Sequence, residues 1–209
     1  MVDARGGLRL PFSSLVPALA TGGAVPITLK RGGRPVEAGM EVTREDDRLI
    51  RPYSGRYPAY FVHGPLVFSP AAADAIPAYA EGNPPAMPGS PLVTCAGDRV
   101  AFPGEELVVV ASPILPHAMA RGYQDPFGQV VKDVDGIPVR NLAHLIGLLR
   151  DVTGEHLTIR FFGELSETLV FSRREMEAAT AGLLEENGIP RRGTEDALAA
   201  WGGGPDASR

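Results

Sequence analysis

A single cysteine, Cys95, stands in a chain of 209 residues. That excludes an internal disulfide and any multi-cysteine metal site, and Cys95 reads as an ordinary small buried residue. The four histidines, His63, His117, His144 and His156, fall in no HExxH or Cys/His spacing, so no metal is expected. Neither a GxGxxG pattern nor a Walker loop occurs, and no cofactor is expected. The 20 Lys and Arg are interspersed with 25 Asp and Glu and nowhere cluster with aromatics, which sets nucleic acid aside as a partner. No run of about 18 uncharged apolar residues occurs, so no membrane span is expected. A serine nucleophile needs a tight turn, a histidine base and an orienting carboxylate. The one candidate turn, Pro88-Gly89-Ser90-Pro91, has a proline after the serine, removing an N–H that could serve an oxyanion hole. A Pro-rich surface turn explains the same residues. The acidic pairs Asp46-Asp47 and Glu185-Glu186 sit among charges and read as solvated. On its residues alone the chain is not a self-sufficient enzyme, and no catalytic residue is assigned.

What is present is 44% hydrophobic residues, 25 glycines and 20 prolines at a net charge of −5, which suits a loop-rich globular protein of one or two domains. Its best-marked stretch is Val130–Val152. Two valines lead into the Asp135-Gly136 turn, and Leu142, Leu145, Ile146 and Leu149 then follow the i, i+3, i+4, i+7 spacing of one helix face. Asn141 is placed to cap that helix, and Thr153-Gly154 stop it. Phe12, Leu15, Val16 and Leu19 repeat the same spacing at a constant offset of 130 positions. The offset also carries Ile27 and Leu29 onto Leu157 and Ile159, and Gly33 onto Gly163. Both copies read helix, glycine turn, strand, hairpin, strand. The second copy has strand-like sequence from Tyr57 ahead of its helix, whereas the first has almost none, so the first unit reads as the remnant of a larger one.

Between the copies, Glu41–Pro58 reads as a connector. Tyr60, Val62, Leu66 and Phe68 suggest two strand pieces around a His63-Gly64-Pro65 turn. Ala71–Ala80 is a short helix, Asn83–Pro91 a surface loop, Glu106–Ala111 a buried strand, and His117–Gly122 a helical turn. Leu157–Phe162 and Thr168–Phe171 form a hairpin. Ser172 then starts a helix with Glu175 at capping-box spacing and Phe171 and Met176 at staple positions. That helix carries Met176, Ala179, Leu183 and Leu184 on one face. Beyond Arg191 the chain thins to WGGGPDASR and is expected to be disordered, with Trp201 the one residue that could be held.

GPLVFSP, then ELVVVASPIL, ARGY, VVKDVDGIPVRNLAHLIGLL and ENGIPRRGTEDAL together resemble the C-terminal PDZ region of Deg/HtrA-type serine proteases, in the plant and bacterial branch whose second PDZ domain is divergent. RLPFSSLVPALATGGAVPITLKRGGRPVEAGMEV resembles the last third of that family's first PDZ domain. The resemblance implies an α+β fold: a small, partly open PDZ-like β-barrel or sandwich capped by helices at 57–190. A partial PDZ-like unit at 1–50, a connector at 51–56 and a tail at 191–209 complete the chain. It also implies a non-catalytic role in protein quality control: binding peptides or unfolded protein segments by strand addition, or assembling the protease as a homo-oligomer. The protease domain of the full-length protein is a further implied partner, and the compartment stays open between periplasm and cytoplasm for a bacterial chain. The implied peptide site is the loop with Gly64 and Pro65, the strand Leu66, Val67 and Phe68, and the helix positions His144 and Leu148. Pro65 removes one donor from the loop that would capture a ligand's carboxylate. A closed, non-binding groove in an oligomerisation or adaptor module is the alternative.

Overall fold

The computed structural model describes residues 2–3, 9–10, 16–42, 47–84, 87–163 and 166–203. The chain divides into two units, Met1–Asp46 and Asp47–Arg209. In the first unit β1 (Val2–Asp3) pairs antiparallel with β2 (Arg9–Leu10), and α1 (Val16–Leu19) precedes the hairpin of β3 (Ala24–Arg31) and β4 (Arg34–Glu41). Phe12 and Leu15 of the helix pattern lie outside the described residues. Gly32 and Gly33 turn the hairpin with φ of 57° and 81°, the left-handed pair that matches strand twist in a two-residue turn. Cross-strand pairs Val25↔Met40, Ile27↔Ala38 and Leu29↔Val36 put one apolar face on this hairpin.

The second unit holds two open sheets. β5 (Phe61–His63), β6 (Leu66–Pro70) and β7 (Val108–Val110) form one, in that order. The other has the order β11-β10-β8-β9, from β8 (Val131–Val134), β9 (Ile137–Pro138), β10 (His156–Phe161) and β11 (Leu169–Ser172). A bridge between Val109 and Val130 joins them. The Asp135-Gly136 turn, with φ of 50° and 82°, folds β9 back on β8. The helices are α2 (Ile76–Gly82), α3 (Pro91–Thr94), α4 (Leu142–Asp151), α5 (Arg173–Glu186) and α6 (Glu195–Trp201). Sheets and helices with open edges make this the expected PDZ-like α+β fold and not a closed barrel. Among the described residues no helix is long and apolar enough to cross a membrane.

Local chemistry explains the two best-marked helices. The Asn141 side chain accepts a hydrogen bond from the His144 N–H at 2.8 Å, capping α4. Leu142, Leu145, Ile146 and Leu149 are all buried in a core that runs between the sheets through Phe61, Leu66, Phe68, Val110, Val131, Ile159 and Phe171. Ser172 accepts from the Glu175 N–H, and Phe171 and Met176 enter that same core. Both copies of the repeat carry helix, strand, turn, strand.

Two expectations are corrected. The connector is part of the second unit from Asp47 onward: Ile50 is buried, Ala73 N–H donates to the Arg51 carbonyl, and Tyr53 N–H donates to Asp74 at 2.7 Å. Residues 43–46 lie outside the described set. The tail expected to be disordered instead forms α6. Its Ala197 and Ala200 are buried, and Arg150 of α4 donates to the Ala200 carbonyl at 2.8 Å. Thr194 followed by Glu195 and Asp196 is an N-terminal helix signature that the glycine-rich end of the chain obscures. Residues 204–209 lie outside the described set.

Candidate functional site

A peptide that adds to β6 needs a free edge on that strand and a free N–H in the loop before it. β6 has its two edges paired. Phe61↔Phe68, Val62↔Val67 and His63↔Leu66 pair it with β5, and Phe68↔Val110 through Pro70↔Val108 pair it with β7. β5 thus lies antiparallel on the edge where a ligand strand is expected, with His63 at the loop end. The outer edge of β5 is covered in turn: Val62 N–H donates to the Arg192 carbonyl at 2.7 Å and Thr194 N–H donates to the Tyr60 carbonyl at 3.1 Å.

The loop is filled from the other side. Gly64, at φ 53°, donates its N–H to the Thr180 hydroxyl at 2.9 Å. A Cβ on Gly64 would stand 2.2 Å from the Met176 sulfur. The Pro65 carbonyl accepts from Leu115 at 2.8 Å, and the Val67 carbonyl from Ala111 at 2.8 Å. Gly64, Pro65, Leu66 and Phe68 are buried and Val67 is half-buried. Leu66 and Phe68 are core residues.

The two helix residues stand on α4, which packs against β6 across the core. His144, half-buried in the first turn of α4, accepts at Nδ1 from the Arg140 N–H. Burial, and then the Arg140 guanidinium, hold its pKa below the ordinary histidine value. Leu148, packed against the core that holds Leu66 and Phe68, also lines a cleft of about 240 Å³ with Val134, Ile137 and Val152. A second cleft, of about 210 Å³, opens between the Pro70 end of β6 and Leu142 and Ile146 of α4, with Glu106, Asp196 and Ala197 in its wall. The Glu106 carboxylate accepts from the Leu142 N–H, and burial raises its pKa.

Beside β5 stands a cluster absent from the expected site. Arg192 donates from Nε to the Val62 carbonyl at 3.1 Å and from Nη2 to His63 Nδ1 at 2.7 Å. Its guanidinium lies 3.8 Å from the Trp201 ring centre and 5.0 Å from that of Phe61, within cation–π range. Glu177 of α5 pairs with it at 3.4 Å. Because arginine only donates, Nδ1 of His63 is an acceptor and its proton sits on Nε2, which is buried and has no partner among the described residues. Burial first, then the Arg192 charge, lower the His63 pKa to about 4, with Glu177 pulling weakly the other way. A folded pKa below the unfolded one means that the unfolded chain binds the proton more readily. Stability from neutral His63 is complete above about pH 6.5 and is lost as pH falls toward 4. The loss should reach about 2.5 kcal/mol near pH ~4.5. Urea midpoints across this range should show it, and should flatten in a His63→Gln variant that keeps the fold.

Sequence patterns miss Thr180, Met176, Arg192 and Trp201 as parts of this site, because each meets β5 and its turn only after the chain has folded back from its far end. Ser90, read from the sequence as part of a surface turn, is instead buried, because its hydroxyl accepts from the Leu92 N–H to cap α3, a structural role. Among the described residues no group of three or more His, Cys, Asp or Glu could hold a metal ion.

Against known proteins, the sequence pattern of the PDZ domain matches residues 52–196. The chain is 30% identical over 200 residues to Protease Do-like 2, chloroplastic, of Arabidopsis thaliana, covering 94% of this chain and 32% of that protein. It is 23% identical over 181 residues to Putative protease Do-like 11, mitochondrial, of the same plant, covering 87% of this chain and 27% of that protein. The chain therefore spans about a third or less of the length of these relatives.

Proposed function

Because the chain belongs to the PDZ domain family, as a PDZ region of the Deg/HtrA protease type, we propose that it is a non-catalytic part of a larger serine endopeptidase whose peptide groove is closed by its own strand. In this reading its outer surfaces assemble the protease, and the groove does not capture substrate ends. The observation that supports it is the Gly64 N–H, the donor expected to take a ligand's carboxylate, held at 2.9 Å by Thr180, with β5 already paired along β6. An incoming strand would have to displace hydrogen bonds of the same kind as those it forms, and it gains no net main-chain pairing.

The reading is tested by calorimetric titration of the chain with peptides that end in an apolar residue and a free carboxylate, and with unfolded casein. No saturable binding up to ~1 mM is expected, the weakest end of the measurable affinity scale. Micromolar binding that disappears with a free-carboxylate peptide amidated at its end would return Gly64, Pro65, Leu66, Val67 and Phe68 to the strand-addition role, with β5 leaving to make room.

A further inference from the structure

We propose that the outer edge of β11 is a homotypic docking strand, on which Tyr123 sits as a removable cover and a second copy of this chain pairs antiparallel about Val170. The proposal rests on the assembly reading above and names the surface that would carry it. Among the described residues β11 pairs on one side, with β10, in the register Leu157↔Phe171, Thr158↔Val170 and Ile159↔Leu169. On the other side a single side chain takes the place of a strand. The Tyr123 hydroxyl donates to the Val170 carbonyl at 2.7 Å and accepts from the Val170 N–H at 3.2 Å. The ring stands edge-on to Phe171 with centroids 5.3 Å apart, and the next residue, Gln124, donates its N–H to Glu167 at 2.8 Å. The tyrosine of the ARGY motif thereby holds both outward main-chain groups of Val170.

Sheet edges are ordinarily blunted by proline, by lysine or by inward charges. From Thr168 to Ser172 this edge has none of them, and Val170 is 42% exposed. Its protection is one hydroxyl on a loop whose two ends Asp125 ties, accepting from Ile114 and Phe127. A second copy fits the uncovered edge for two reasons. An outward N–H and C=O on one residue are self-complementary across a twofold axis, so Val170 of each copy would take over both bonds that Tyr123 makes, and Ser172, at the same parity along β11, would add pairing that Tyr123 does not supply. Centring on Val170 also brings Glu167, which precedes β11, toward Arg173 of the other copy, the first residue of α5. The Arg173 side chain, which donates to the Gly154 carbonyl at 3.1 Å in the single chain, would turn from it so that opposite charges meet just beyond both ends of the paired strands. Glu167 is released for this when Gln124 leaves with Tyr123.

The test is sedimentation of the whole chain over a concentration series. Tyr123→Phe keeps the ring against Phe171 and removes only the hydroxyl. It should dimerise at least tenfold more tightly than the wild type, and its Val170 amide, measured where it is monomeric, should exchange at least tenfold faster. Adding Val170→Pro should abolish the dimer. Glu167→Arg in the Tyr123→Phe background should weaken it, and Arg173→Glu on top should restore it. Should Tyr123→Phe not fold, the same charge reversal and its repair in the wild-type chain at high concentration give the answer. Wild-type sedimentation and unchanged Val170 exchange in Tyr123→Phe overturn the proposal, as does association indifferent to Val170→Pro or to the charge swap. Peptide binding in the groove would end the closed-groove reading without touching this result, and an unpaired β11 edge would leave the closed groove standing.

Discussion

Arg192→Ala should lower the stability of the second unit by about 4 kcal/mol, the largest single-residue effect expected outside the sheet core. The guanidinium serves the Val62 carbonyl and His63 Nδ1 at once, and its removal orphans both beside a ring nitrogen that already lacks a partner. Each buried polar group left without a partner costs about 1–3 kcal/mol. Lost stacking on Trp201 and Phe61 adds about 0.5–2 kcal/mol. The Glu177 pair contributes little, because that carboxylate is 51% exposed and half-solvated ion pairs are weak. Glu177→Gln is therefore expected to cost under ~1 kcal/mol. Arg192→Lys should not restore the wild type, since an ammonium cannot span the carbonyl and the imidazole while stacking flat on an indole. Urea unfolding gives the free energies. Faster exchange of the Val62 amide, which donates to the Arg192 carbonyl, would show that the 191–194 segment has loosened from β5.

Gly64→Ala should cost about 3–4 kcal/mol. The backbone there has φ 53°, a left-handed conformation that costs an alanine about 1–2 kcal/mol. The added methyl also meets the Met176 sulfur at 2.2 Å and its terminal carbon at 3.0 Å. A methionine on the surface would swing aside, but Met176 is fully buried, and forcing a methyl into a packed site costs about 1–3 kcal/mol more. In the double variant Gly64→Ala/Met176→Ala the two costs should fall short of their sum by about 1–2 kcal/mol, because each change relieves the other. Chemical denaturation of the four proteins of this cycle checks it. A near-neutral Gly64→Ala would mean that α5 does not fill the loop.

Local signals carry much of this fold. Asn141, Ser172 and the spacing of Leu142, Leu145, Ile146 and Leu149 act within a few residues of themselves, so they are visible in the chain before it folds. The site is less legible for a physical reason. The sequence shows both a hairpin around His63-Gly64-Pro65 and a resemblance that implies a ligand beside Leu66–Phe68, yet a strand has two edges, and with β7 on one of them the hairpin and the ligand compete for the other. In the sequence, Pro65 is the residue that weakens the carboxylate loop. The stronger cause is Thr180, 116 positions away, whose hydroxyl takes the neighbouring N–H. No periodicity or cap encodes such a contact. The glycines after Trp201 suggest an end to structure, whereas its ring and Arg192 together hold the segment that covers β5.

Closure of the groove by the chain's own β5, α5 and 191–194 segment is tested most directly by native-state hydrogen exchange at the Gly64 and Val62 amides, since both donate only within the closed arrangement. A closed groove predicts that both exchange as slowly as the amides of the β8–β10 core and that saturating peptide leaves them unchanged. Fast exchange at Gly64 in the free chain, slowed by a peptide with a free C-terminal carboxylate, would contradict it.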